Sequence, residues 1–296
     1  MYVPELPEFR SLVKEDKPLL DSYFHETQPQ ISELTFTNLF VWNEAEPVQL
    51  SRFEESVLLQ RKRIRDDTSY VLPPVGRQII TELVRSLTQN PNFHVPALYG
   101  ITGEQSELLK KEGWTVQPER DDWDYVYRVS DLADLPGDKY HAKRNFIARC
   151  LAEHDCRYAS IGSKEINDCL QLQTKWCNLR RCDETPGLEA ENHAIRTLFE
   201  TYEYLAVVGG AVYVEDNLEA FTIAEPLNKN TAVIHFEKAN PEIEGLYQLI
   251  NQSFCQNSLR AFEFVNREQD LGLPGLRKAK LSYHPHHMVE KSIVQL

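Results

Sequence analysis

The run AVYVEDNLEAFTIAEPLNKNTAVIHFE, residues 211–237, decides the fold of the second half of the chain. It contains three extended runs of mainly β-branched, aromatic and other apolar residues, at 211–215, 220–225 and 232–237. Turn-forming residues separate the runs, at Asp216 and Asn217 and again at 228–230. Short extended runs joined by such turns are typical of antiparallel strands, so we predict a three-stranded meander.

Helices flank this meander in the sequence. Two apolar stripes at helical spacing precede it, one of Ile166, Cys169, Leu170, Trp176 and Cys177 and one of Ile195, Leu198, Phe199 and Tyr202. Behind it, Asn240 and Pro241 signal the start of a helix whose apolar stripe is Ile243, Leu246, Tyr247, Ile250 and Phe254. A strand at 261–265, a short helix from Pro274 and a closing strand at 288–294 complete this half.

The first half repeats the order of elements. Its predicted segments are helices at about 8–25 and 33–42, strands near 47–53, 56–61 and 69–73, a helix containing 79–87, a strand at 94–101, a helix at 104–113 and a strand at 123–129. Both halves read ααβββαβαβ, which predicts a mixed α/β (α+β) fold of two tandem domains, 1–135 and 136–296. We expect a linker at 131–138 and a connecting helix at 140–154.

The composition predicts a globular, cytoplasmic protein. The 296 residues are 42% hydrophobic and 26% charged, with a formal net charge of -13, and no apolar stretch reaches the roughly 18 residues that a membrane span needs. The six cysteines form no CxxC pair, so we expect free thiols in a reducing compartment. The negative charge argues against wholesale wrapping of nucleic acid and leaves room for a local basic groove.

A cationic motif, NREQDLGLPGLRKAKLSYHPHH, lies at 266–287. Together with HFEKA at 235–239 and HAKRNFI at 141–147, it resembles the family that shares its domain with the C-terminal catalytic part of phosphatidylglycerol lysyltransferases (DUF2156). The resemblance is strongest over 138–294. It implies two tandem domains of the GCN5-related acyltransferase (GNAT) type and transfer of an acyl or aminoacyl group, with aminoacyl-tRNA as the donor in the lysyltransferases. The expected absence of a membrane span separates this chain from the lipid-modifying members.

The motif and its neighbours supply the candidate donor-binding residues. Arg277 could bind a phosphate or carboxylate through two hydrogen bonds. Successive side chains of a helix are rotated by about 100°, so only one or two cations of this short helix can face one site. Other basic residues of the chain could extend a positive surface toward the acceptor end of a tRNA. The full candidate set is Lys143, Arg144, Lys238, Asn266, Arg267, Glu268, Gly275, Arg277, Lys278, Lys280 and Ser282. The alternative is an ordinary solvated helix face.

Three residues are candidates for catalysis: Glu237, Asp270 and Tyr283. Glu237 ends a predicted strand, where a desolvated carboxylate could serve as general base on an attacking amine. Alternatively, Glu237 forms a structural ion pair with Lys238 or with an Arg or Lys of the motif. Asp270 follows the strand at 261–265, where side chains can point into a cleft. Tyr283 is either a general acid or a packed aromatic residue.

The loop before the helix at 243–254 argues against coenzyme A. A diphosphate cradle needs backbone N–H groups at a helix N-terminus, but Pro241 has none and Glu242 and Glu244 are expected in the first turn, where they would repel phosphate. The spacing of His284, His286 and His287 does not match a zinc site, so we predict no metal. We expect no cofactor apart from the donor, which is aminoacyl-tRNA or acyl-CoA.

Three functions are therefore open. The first is an acyl- or aminoacyl-transferase that uses aminoacyl-tRNA and an amine or other small-molecule acceptor. The second is a non-catalytic binding protein with a degenerate transferase fold that recognises a tRNA end, a nucleotide or an acidic metabolite. The third is a CoA-dependent N-acetyltransferase.

Overall fold

The computed structural model describes residues 2–64, 67–77, 79–90, 93 and 97–296. Contacts divide the chain into two compact units. Unit 1 comprises Met1–Asp124, Gln269–Gly272 and Val289–Leu296, and unit 2 comprises Tyr125–Glu268 and Leu273–Met288. The predicted domain boundary between residues 135 and 136 stays a prediction.

Unit 1 is built around one mixed sheet. Its helices are α1 (Lys17–Thr27), α2 (Phe36–Val41), α3 (Ile80–Gln89) and α4 (Gly103–Lys111). Its strands are β1 (Arg10–Ser11), β2 (Val48–Phe53), β3 (Ser56–Lys62), β4 (Ser69–Val71), β5 (Val75–Gly76), β6 (Ala97–Ile101) and β7 (Val116–Pro118), with a strand from the end of the chain, β15 (Ser292–Gln295). The strand order is β1-β2-β3-β4-β6-β15-β7, and β5 pairs with β3. Leu83 and Val84 of α3 and Leu109 of α4 pack in its core.

Unit 2 has a second sheet of seven strands. Its helices are α5 (Val129–Asp134), α6 (His141–Glu153), α7 (Ile166–Arg180), α8 (Pro186–Glu200), α9 (Tyr202–Leu205), α10 (Leu246–Asn257) and α11 (Pro274–Leu281). Its strands are β8 (Asp124–Arg128), β9 (Cys156–Ser160), β10 (Val208–Val214), β11 (Asn217–Pro226), β12 (Thr231–Ala239), β13 (Phe264–Asn266) and β14 (His287–Val289). The order along the sheet is β9-β10-β11-β12-β13-β8-β14.

The two sheets have the same order of corresponding strands. In each, an antiparallel series ends at a strand, β4 or β12, that pairs in parallel with the next, β6 or β13. The sixth place in each sheet is taken by a strand from the other half of the sequence: β15 lies between β6 and β7, and β8 lies between β13 and β14. The predicted closing strand at 288–294 is therefore wrong as a single element, because Glu290 and Lys291 divide it between two sheets.

The predicted meander 211–237 is present as β10, β11 and β12, whose pairings are antiparallel. The predicted linker 131–138 is partly helical instead, since Leu132 and Ala133 of α5 are buried against α10 in the core of unit 2. The strand predicted at 261–265 is shorter and covers Phe264–Asn266. Part of the strand predicted at 94–101, residues 94–96, lies outside the described residues.

The cysteine prediction needs one correction. Cys177 and Cys182 form a disulfide across the end of α7, whereas Cys150, Cys156, Cys169 and Cys255 are free. Among the described residues, no helix combines the length and apolar character that a membrane crossing requires.

Candidate functional site in unit 2

The opening between β12 and β13 positions the candidate site. The two strands pair in parallel only from Thr231 to Val233 with Phe264 to Asn266. β12 continues to Ala239 while β13 ends, so the following part of β12 has no backbone partner from β13. Side chains can therefore reach into the gap, as at other sheet edges where parallel strands part.

Glu237 and Arg267 meet across this opening. Nη2 of Arg267 donates to Oε1 of Glu237 at 2.8 Å, and the side chains are only 13% and 11% exposed. Asn251 of α10 donates to the other carboxylate oxygen at 3.2 Å. Burial acts to lower the pKa of Arg267, but the Glu237 carboxylate together with neighbouring tyrosine and cysteine side chains raises that pKa above the usual value. The guanidinium is therefore permanently charged.

Two tyrosine rings enclose the guanidinium. Its central carbon lies 5.1 Å from the ring centroid of Tyr283 and 5.8 Å from that of Tyr127. Both distances allow cation–π attraction. Burial raises the pKa of Tyr283, and Arg267 offsets only part of that rise. Tyr283 is thus a neutral, buried phenol at physiological pH.

Lys143 of α6 adds a second cation. Its Nζ lies 4.0 Å from the Tyr283 ring centroid and donates to Oγ of Ser282 at 2.7 Å. Burial lowers the pKa of Lys143, and the charge of Arg267 lowers it further. An ammonium whose pKa is lowered gives up its proton more readily, which suits it to proton transfer.

Three buried polar atoms around Glu237 have no hydrogen-bond partner within the described part of the chain. They are Nη1 of Arg267, Oδ1 of Asn251 and Oγ1 of Thr222. Thr222 lies opposite Glu237 in the β11–β12 register, so both side chains are on the same face of the sheet. A donor, an acceptor and a hydroxyl beside one carboxylate can hydrogen-bond a polar substrate group or water, and each costs about 1–3 kcal/mol if left unpaired.

Several predicted donor-binding residues make contacts other than those predicted. Lys238 follows Glu237 in the strand and therefore faces the opposite side of the sheet, where its Nζ donates to Glu191 at 2.7 Å and lies 3.8 Å from the Trp176 ring centroid. The predicted pairing of Glu237 with a motif arginine is present, whereas Lys238 pairs with Glu191. Arg144 donates to the carbonyl oxygens of Leu135 and Gly137 and so connects the segment before α6 to that helix.

The motif residues are likewise divided among separate roles. Oδ1 of Asn266 accepts from the backbone N–H of Glu268 at 2.8 Å, and Lys280 donates to the carbonyl oxygen of Arg267. Both contacts shape the segment that carries Arg267. Asp270 belongs to unit 1, where it is buried and accepts from Arg120 at 3.2 Å. Its catalytic role stays a prediction.

Helix α11 presents its remaining cations differently from the prediction. No residue of α11 is fully buried; Lys278 and Gly275 are exposed, and Arg277 is half-buried. A side chain at Gly275 would meet nothing within 4 Å, so no tight packing requires that glycine. The motif therefore supplies one buried cation, Arg267, and a solvent-facing basic helix.

The loop before α10 also differs from the prediction. Glu242 and Glu244 are not in the first helical turn, because α10 begins only at Leu246 after Gly245 with a φ of 87°. A Cβ on Gly245 would lie 2.3 Å from the carbonyl oxygen of Phe146. The turn before α10 is thus packed closely against α6.

Sequence reasoning did not select Asn251, Thr222 or His235 as site residues. The sequence did offer one signal, because these polar residues stand within otherwise apolar helices and strands. Asn251 is 1% exposed in the apolar stripe of α10, and Thr222 is fully buried in β11. Among the described residues, no group of three or more His, Cys, Asp and Glu side chains could hold a metal ion.

The fold is that of a mixed α/β, GNAT-like protein. Residues 24–295 match the family described as phosphatidylglycerol lysyltransferase, C-terminal. The chain belongs to this family, which confirms the resemblance found in the sequence.

Solved structures resemble this chain in fold. A conserved protein of unknown function from Bacteroides thetaiotaomicron is 29% identical, with a TM-score of 0.89 over 97% of this chain and 99% of that one. L-PGS from Bacillus licheniformis is 13% identical, with a TM-score of 0.64 over 100% and 94%. A tandem GNAT protein from the clavulanic acid biosynthesis pathway is 10% identical, with a TM-score of 0.52 over 97% and 98%. The last two show likeness of fold alone.

Proposed function

We propose that this chain is an aminoacyl- or acyltransferase that takes its group from an aminoacyl ester, with aminoacyl-tRNA as the donor and an amine or other small-molecule acceptor. The observation that carries the proposal is the largely buried Glu237–Arg267 pair in the opening between β12 and β13. Membership of the lysyltransferase family supports the transferase class. A tRNA donor would place the reaction in the cytoplasm.

The chemistry follows from the groups at the opening. Attack of the acceptor on the ester carbonyl carbon forms the new bond and puts negative charge on the carbonyl oxygen. Nη1 of Arg267, a donor that has no partner within the described ranges, can stabilise this charge. The ester C–O bond then breaks, and Lys143 gives its proton to the leaving oxygen. Glu237 takes the proton of the attacking group. Glu237 then releases its proton to solvent and Lys143 recovers one, so atoms and charge balance.

The start of α10 supports an ester donor over acyl-CoA. The N–H of Glu242 is used by Oδ1 of Asn240 at 3.0 Å, and the N–H of Ile243 by the Asn240 carbonyl oxygen at 3.3 Å. Phe146 covers Gly245. These contacts consume donors that a diphosphate would need.

We also infer that the two units arose by duplication. The support is the matching strand order of the two sheets, β1-β2-β3-β4-β6-β15-β7 and β9-β10-β11-β12-β13-β8-β14. In a single ancestral unit, the last strand would have paired within the sheet of its own unit. The exchange of β8 and β15 between the two sheets would have followed the joining of two such units in one chain.

The test compares donors. The purified chain is incubated with tRNAs charged with radiolabelled amino acids, or with acyl-CoAs, and a panel of amine acceptors, and labelled product is measured. We expect product from an aminoacyl-tRNA above spontaneous hydrolysis. Consumption of acyl-CoA alone would establish the acetyltransferase alternative, and tRNA binding without product would establish the binding protein.

A further inference from the structure

His235 lies in an irregularity of β12 beside the proposed site. The β11–β12 register passes from Phe236 to Ile234 without a partner for His235, which marks a β-bulge. The imidazole Nε2 lies 2.8 Å from Oε1 of Glu225 on β11, and Nδ1 lies 3.0 Å from Oε1 of Glu268. Bulges often re-aim a side chain next to a functional site.

The two contacts fix the protonation of His235. Both partners are carboxylates, which only accept hydrogen bonds, so each ring nitrogen donates when the ring is charged. Burial lowers the pKa of His235, but its hydrogen bonds to Glu225 and Glu268 outweigh this and raise the pKa to about 9. The side chain is 1% exposed. Glu225 faces it from β11 and Glu268 from the segment after β13; Glu237 and Arg267 form the next charged pair.

The contacts of His235 with Glu225 and Glu268, here called the Glu225–His235–Glu268 bridge, cross the opening between β12 and β13. Backbone pairing between β12 and β13 ends at Val233 and Asn266. Beyond it, side chains join the two segments: His235 pairs with Glu268, and Glu237 pairs with Arg267. Glu268 has a φ of 55°, a left-handed conformation that non-glycine residues adopt only when their surroundings hold them. Its side-chain contact with His235 is one such restraint.

We propose that the Glu225–His235–Glu268 bridge positions Arg267 for the transfer reaction, with His235 as a positioning residue. The bridge holds the turn at 266–268 so that Nη2 of Arg267 reaches Glu237 and Nη1 is left for the substrate oxygen. The reaction step rests on the proposed function; the restraint on Arg267 does not.

The first test is kinetic. His235→Gln keeps the size of the side chain but removes the charged bridge, and we expect kcat to fall about 100-fold, as for a misplaced catalytic group, with the KM for the donor nearly unchanged. The wild type should lose activity as pH rises through about 9. His235→Gln should lack this His235-dependent loss and keep only the alkaline loss that deprotonation of Lys143 causes. Glu268→Gln, nearly identical in shape, should reproduce part of the loss. His25→Gln, at an exposed position of α1, is the matched control.

A second test needs no activity. In nitrogen-15 NMR spectra of the full chain, both His235 ring nitrogens should be protonated at neutral pH, and the side-chain resonances of Arg267 should shift in His235→Gln and Glu268→Gln but not in His25→Gln. Unshifted Arg267 resonances in both bridge variants would overturn the inference. If the wild type consumes no donor while Arg267 shifts as expected, the proposed function fails and the positioning of Arg267 by His235 stands.

Discussion

Arg267 donates to Glu237 at 2.8 Å across the opening between β12 and β13, beyond the last backbone pair of the two strands. A guanidinium that has lost most of its water there is held by one carboxylate and two aromatic rings. Its second terminal nitrogen remains without a protein partner among the described residues. This relationship carries the proposed chemistry.

Replacing Arg267 by Lys should remove transfer while leaving the fold intact. A lysine keeps the charge toward Glu237 but loses the second donor arm, so the transfer rate should fall by about 10²–10³-fold, as when one oxyanion donor is lost. The measurement is product formation under single-turnover conditions. Arg260→Lys is the control, because Arg260 also pairs with a carboxylate, Asp134, but is 49% exposed. Equal losses in both variants would argue against a special role for Arg267.

Glu237→Gln should lower the free energy of unfolding, because it leaves the Arg267 guanidinium buried without a counter-ion. Removal of one partner from a buried pair costs about 3–5 kcal/mol. Combining it with Arg267→Met should recover much of this stability without restoring transfer. Urea denaturation measures the effect; a double variant as unstable as Glu237→Gln alone would contradict the ion-pair account.

The stability of unit 2 should fall as pH rises from about 6.5 to about 9. The folded-state pKa of His235 is raised from 6.5 to about 9, so the folded state binds the proton more tightly than the unfolded state. This contribution is complete below 6.5, where both states are protonated, and is lost as pH passes through the folded-state value. It amounts to about 3 kcal/mol. Urea midpoints at several pH values should decline less steeply in His235→Gln; parallel curves would refute this.

Unit 1 should depend on Lys291, which immediately precedes β15. Its fully buried Nζ lies 2.7 Å from Oε2 of Glu33 and 2.7 Å from Oδ1 of Asp124. Burial raises the pKa of Glu33 to about 7, although Lys291 opposes the rise. Lys291→Met leaves both carboxylates without their cation, and we expect a loss of about 3–5 kcal/mol.

Hydrogen exchange is the suitable measurement for Lys291→Met. The backbone amides of β15 should exchange faster than in the wild type, since the ammonium that anchors the strand is gone. Adding Glu33→Gln should restore part of their protection by removing one buried charge. Unchanged exchange in Lys291→Met would show that strand pairing alone holds β15.

The meander and the helix after it could be predicted because local patterns determine them. The runs in 211–237 alternate or are continuously apolar, and Ile250 and Phe254 lie at helical spacing. β9, with the sequence CRYAS, was missed because it carries no clear alternation. The exchange of β8 and β15 was also missed, since strand pairing over such distances leaves no periodic signal.

The site was only partly predictable for a similar reason. Glu237, Arg267, Tyr283 and Lys143 were chosen from the motifs and do lie together. Lys238 was also chosen as a site residue because it follows Glu237 in the sequence. Side chains alternate along a strand, however, so Lys238 lies on the other face of the sheet. Partners such as Asn251 come from elements far along the chain, and only the fold brings them to Glu237.

The proposed function places transfer of a group from an aminoacyl ester at the opening beside Glu237 and Arg267. The most direct measurement is single-turnover consumption of aminoacyl-tRNA and, separately, of acetyl-CoA by the full chain and by Arg267→Lys with the same acceptors. The account predicts consumption of the aminoacyl ester by the wild type, loss of that activity in Arg267→Lys, and no consumption of acetyl-CoA. Consumption of acetyl-CoA, or equal ester consumption by both proteins, would contradict it.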